Sequence, residues 1–115
     1  MNLSYLRSNF GEDEDFIVEL LRNLMPDIDL KIKELEKSVL QNNPDRCHHL
    51  IHNLKTSMEM IDLNTLVNHL KEIDKGAKLG KDLSIFIDNV RKILTLWEIG
   101  KAEIMEYIEN NAGKA

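Results

Sequence analysis

Apolar residues recur along most of the chain at the spacing of one helix face. Ile17, Leu21, Leu24, Ile28, Ile32, Leu35 and Val39 are separated by four, three, four, four, three and four positions. That averages about 3.7 residues, the period of an amphipathic helix. The stripe keeps its phase through Pro26, which predicts one long helix over about 12–41, kinked at the proline rather than broken there. Four acids, Glu12 to Asp15, stand at its N-terminus, where the helix dipole favours negative charge. A short helix over Leu3–Ser8, stopping before Gly11, is predicted ahead of it. Asn43-Pro44-Asp45 supplies an N-cap, a first-turn proline and a first-turn acid, so a new helix starts there and runs to about Met60. Asp62 is the expected N-cap of a further helix with the stripe Leu63, Leu66, Val67, Leu70, Ile73 and Ala77, ending near Gly76–Gly80. A last helix is predicted from about Asp82, carrying Leu83, Phe86, Val90, Ile93, Leu94, Trp97, Ile104 and Ile108, with a soft tail over 110–115.

Amphipathic helices joined by short connections must cover each other's stripes. The expected fold is therefore all-α: an antiparallel four-helix bundle with a short extra N-terminal helix, a single domain over 1–115. A chain of 115 residues buries roughly two-thirds of its unfolded surface and needs no covalent staples. Its one cysteine, Cys47, excludes an internal disulfide and a Cys-based zinc site, and is expected as a small core residue. Trp97 and Phe86 are expected in the core as well.

Fifteen basic against twenty acidic residues leave a net charge of −5, which argues against nucleic acid as a partner. No apolar run approaches the roughly 20 residues of a membrane span, so no membrane partner and a cytoplasmic location are expected. Size and the lack of a glycine-rich phosphate loop exclude an ATP-using kinase and a dinucleotide-binding enzyme.

The candidate chemistry lies in the third helix. All four histidines fall between 48 and 69, three of them in Cys47-His48-His49-Leu50-Ile51-His52. At about 100° per residue, Cys47, Leu50, Ile51, Leu54, Met58 and Ile61 cluster within some 60° of Leu54, and His52 comes out near the middle of the opposite face. Around His52 are His48, His49, Lys55, Thr56 and Glu59, with Met60 at the border of the core stripe as a possible exposed contact. An exposed imidazole is mostly neutral at pH 7, so its free nitrogen is a nucleophile that needs no separate base. Lys55, one turn away, is placed to offset charge on a phosphoryl group carried there. Two other readings stay open: a metal site from His48 and His52 with Glu59 or His69, and an adaptor bundle without chemistry.

His52-Asn53-Leu54-Lys55-Thr56-Ser57, followed by Ile61, Leu66, Ile73 and Asp74 at +9, +14, +21 and +22 from His52, resembles the histidine-phosphotransfer (HPt) domain of two-component phosphorelays. The opening Leu3-Ser4-Tyr5-Leu6, with Gly11-Glu12-Asp13 and Phe16-Ile17, is similar to that family's first helix and turn. The similarity spans essentially the whole chain. It implies a phosphorelay intermediate in which His52 accepts a phosphoryl group and Lys55 is its electrostatic neighbour. The implied partners are receiver domains and, through them, a sensor histidine kinase; the implied protein is a monomeric phosphocarrier with no ATP site and no cofactor, not an enzyme. His48, His49, Thr56, Glu59 and Met60 would then border the docking partner. The chain departs from the family at two positions, where its usual glycines at +4 and +10 are Thr56 and Asp62.

Charge is unevenly spread. Residues 1–43 carry five bases and nine acids, 44–81 six and five, and 82–115 four and six. The region around His52 is the least acidic part of an acidic chain, which suits an acidic receiver surface.

Overall fold

A computed structural model describes residues 1–113, and over these the protein is all-helical, with no strand among the described residues. The helices are α1 (Ser4–Phe10), α2 (Glu14–Leu40), α3 (Pro44–Met60), α4 (Asn64–Lys78) and α5 (Ile87–Asn111), with a 3₁₀ turn at Leu83–Phe86 before α5. The N-terminal signals act as expected for α2 and α3. Asp13 and Asn43 accept hydrogen bonds from the backbone N–H groups of Phe16 and Arg46, each satisfying a donor the first helical turn leaves orphaned. Helix α2 runs uninterrupted through Pro26. The proline leaves the Arg22 carbonyl without its helical donor, and both residues are exposed, so water can serve it.

The stripes read from the sequence form the core. On α2, Ile17, Leu21, Ile28, Ile32, Leu35 and Val39 are buried and Leu24 is half-buried. Helix α2 lies against α3 and α5, and α4 lies against α3 and α5 as well, so each long helix covers two others. Cys47 is fully buried, and its Sγ sits 3.0 Å from the hydroxyl of Ser38. The Ser38 proton goes to the Leu35 carbonyl at 2.8 Å, which leaves the thiol as donor to Ser38. Burial pushes the Cys47 thiol up, keeping it protonated and unreactive. Trp97 is buried, and its indole N–H donates to Asp29 at 3.2 Å. That bond, with those from Lys33 and Lys101, holds the Asp29 carboxyl below its ordinary range. Phe86 is half-buried and packed against the core, with its ring over the backbone of Gly76: a Cβ there would sit 2.1 Å from the ring.

Three boundaries differ from expectation. Asp62 does not cap α4. Its φ is +61°, and it follows the end of α3 as the left-handed residue of a Schellman closure, with Asp62 N–H bonded to Glu59 O and Leu63 N–H to Met58 O. The N-cap of α4 is Leu63, without a side-chain bond. Aspartate is favoured at a helix start and tolerated in the left-handed position of a helix stop, so the local sequence does not separate them. Asn42 (φ +50°) and Gly80 (φ +70°) close α2 and α4 in the same way. Near Asp82 the chain makes the 3₁₀ turn first, with Asp82 accepting from Ser84 N–H, and α5 proper begins at Ile87. The tail expected from 110 starts later: α5 includes Asn110 and Asn111, whose side-chain amide donates to the Tyr107 carbonyl. Residues 114–115 of that expected tail lie outside the described residues.

Asp62→Gly is expected to stabilise the protein by about 0.5 kcal/mol, because glycine occupies the left-handed region without the steric cost an aspartate bears. The gain is offset in part by loss of the Asn64–Asp62 side-chain bond. A thermal melt should show Tm higher by a few degrees, and an unchanged or lower Tm would show that the side-chain bond dominates.

Candidate functional site

Helix α3 carries the site because its opposite face is anchored. Cys47, Leu50, Ile51, Leu54 and Met58 are all buried, which fixes the rotation of the helix and turns His52 outward. His52 is exposed, and neither of its ring nitrogens bonds to any of the described residues. His49, Thr56 and Glu59 are exposed on the same side. The Thr56 hydroxyl donates back to the His52 carbonyl at 3.2 Å, so its polar atom is satisfied within the helix. Met60 is not an exposed contact. It is half-buried and packed on the core, as its place at the border of the core stripe allows.

Lys55 is half-buried in the groove between α3 and α4. Across that groove stand Lys71, Asp74, Lys75 and Lys78 of α4. One oxygen of Asp74 takes the Nδ1 of His48 at 2.9 Å and the other takes Lys78 at 3.1 Å. Burial alone pushes the Asp74 carboxyl up, but the hydrogen bonds and charges of His48 and Lys78 together outweigh it and hold the carboxyl below its ordinary range. Asp74 therefore stays ionised and ties α3 to α4 beside His52. His48 is exposed, and its Nδ1 is engaged in this tie.

The structure does not bring a third ligand to His48 and His52. His69 sits on the far side of α4, with its Nδ1 3.5 Å from the Asn89 amide. Among the described residues no group of three His, Cys, Asp or Glu side chains converges closely enough to hold a metal ion. Among them, too, no helix is long and apolar enough to cross a membrane.

Sequence reasoning missed Lys71, Lys75 and Lys78. Their signal was present as Lys71, Asp74, Lys75 and Lys78 at i, i+3, i+4 and i+7 on one flank of α4. What was missing was the neighbour: only the packing of α4 on α3 puts that flank beside Lys55. No protein-family model, no curated protein and no solved structure matches the chain.

Proposed function

We propose that the protein is a histidine-phosphotransfer module, its four long helices forming an antiparallel bundle with α1 as the short extra helix. It acts in the cytoplasm as a phosphorelay intermediate. The observation that carries this reading is an exposed, unpaired His52 in the middle of a rigidly anchored helix, one turn from Lys55 and a lysine-lined groove. A second observation agrees with it. Asp62 takes the left-handed conformation that glycine adopts most readily, at the position where the family's usual glycine stands.

In the proposed reaction a receiver domain carrying an aspartyl phosphate docks over the α3 face. A neutral ring nitrogen of His52 attacks phosphorus in line. The N–P bond forms as the P–O bond to the receiver's aspartate breaks, returning its carboxylate, and the proton on the other ring nitrogen leaves to solvent. The transferred group has little covalent chemistry for the protein to perform, so positioning and charge dominate. Lys55 offsets the phosphoryl charge, and the His48–Asp74 bond holds the α3–α4 groove in shape beside it. Return of the group to a second receiver is the same path reversed.

The test is incubation with a phosphorylated receiver domain followed by mapping of acid-labile phosphate, which should sit on His52 alone. Lys55→Ala is expected to slow transfer about tenfold, the open-face end of what a lost charge-stabilising donor costs, while the thermal melt stays unchanged. Equal transfer rates would remove Lys55 from the site.

A further inference from the structure

We propose that Lys71 and Lys75 of α4 are positioning residues that capture the acidic face of the incoming receiver, acting on the encounter and not on the transfer step. This rests on the phosphotransfer reading above. The groove between α3 and α4 is lined by four lysines, Lys55, Lys71, Lys75 and Lys78, and by one acid, Asp74. Asp74 is spent: both its oxygens are engaged, and its side chain is only 13 % exposed. Its charge offsets Lys78. Lys55, Lys71 and Lys75 have no ion-pair partner among the described residues, and Lys71 and Lys75 are exposed.

Three uncompensated cations on one groove stand out in a chain of net charge −5. Held side by side they repel each other, and an arriving anion relieves that repulsion. The partner that must come to His52 is anionic by chemistry: it bears an acyl phosphate beside the carboxylates that hold its divalent cation. The two roles separate by position. Lys55 is on the helix of His52, one turn away, and acts on the phosphoryl group. Lys71 and Lys75 are across the groove on another helix, where charge acts over roughly a Debye length, about 10 Å at 0.1 M salt. Charges so placed raise association rates by about 10- to 1,000-fold and lose that effect as salt rises.

The experiment measures transfer from a phosphorylated receiver to the wild type, to Lys71→Ala/Lys75→Ala, and to the charge-matched control Arg91→Ala/Lys92→Ala. Arg91 and Lys92 lie outside the α3–α4 groove, in a separate groove between α4 and α5 with His69 and Thr95. Each protein is assayed over a range of receiver concentrations at about 0.05 M and about 0.3 M salt, either side of the point where screening reaches molecular distances. At low salt the Lys71/Lys75 variant should need about tenfold more receiver for half-maximal rate, with the maximal rate unchanged and the gap largely closed at high salt. The control should follow the wild type. The inference is overturned if half-saturation does not move, if the loss falls on the maximal rate, or if the control loses as much. A wild type that takes up phosphate while these constants stay put overturns this inference alone. A wild type that takes up none overturns the phosphotransfer reading, and this inference with it.

Discussion

Replacing His52 by Gln is expected to abolish phosphoryl acceptance while the helical fold and its melting temperature stay unchanged. Glutamine keeps a polar side chain of similar reach but has no nitrogen lone pair able to form an N–P bond. His52 is exposed on the face opposite Leu54, and surface changes of this kind stay within about 0.5 kcal/mol. His48→Gln and His49→Gln serve as the discriminating partners. His49 is exposed and takes no part in the bond exchange, so its variant should still accept phosphate, with at most a modest loss in rate. His48→Gln removes the imidazole that bonds Asp74, so it should retain acceptance with at most a modest loss in rate. The measurement is acid-labile phosphate after incubation with a phosphorylated receiver, beside a circular-dichroism melt. Acceptance by His52→Gln, or failure of His48→Gln or His49→Gln in its place, moves the acceptor elsewhere on α3.

The largest stability effect is expected at Gly76. This residue is buried in α4, and the Phe86 ring occupies the volume its side chain would need, 2.1 Å from an ideal Cβ. Valine there expels the ring and adds a branched side chain to a full space. Overpacking costs about 1–3 kcal/mol and lost burial of the ring adds about 1–2, so Gly76→Val should cost about 3 kcal/mol. For a domain of this size that lowers Tm by on the order of 10–20 °C. Gly100 in α5 gives the opposite result, although it too is buried and helical. A Cβ there meets Leu63 at 3.5 Å, an ordinary contact. Gly100→Ala should therefore raise stability by about 0.5–1 kcal/mol through helix propensity. Shortening Phe86 to Ala should recover most of the Gly76→Val loss if the ring is the cause. Full additivity of the two changes in a double-mutant cycle would show that it is not.

Helix α3 was legible almost residue by residue. A spacing of Cys47, Leu50, Ile51, Leu54 and Met58 forces one face inward whatever covers it, and that alone turns His52 outward. The same holds for the stripe of α2, whose phase through Pro26 carried the helix across a residue that usually ends one. Asn43-Pro44-Asp45 marked the start of α3 because capping is satisfied within four residues. The candidate acceptor and Lys55 rest on this kind of local information.

Other features depended on contacts between residues distant in the chain. Asp62 suits a helix stop as well as a helix start, and the closure of α3 on Glu59 and Met58 decided between them. Met60 stood at the border of the stripe, where a small rotation of the last turn decides burial. Phe86 packs its ring on Gly76, ten residues earlier, and Trp97 found its polar partner in Asp29, 68 residues away. Hydrophobic periodicity shows which face of a helix is covered but not by which neighbour. The flank Lys71, Asp74, Lys75 and Lys78 looks in sequence like any solvated helix surface. It becomes one wall of a cationic groove because α4 packs on α3, where His48 and Lys78 take up both oxygens of Asp74 and leave Lys55, Lys71 and Lys75 uncompensated beside His52.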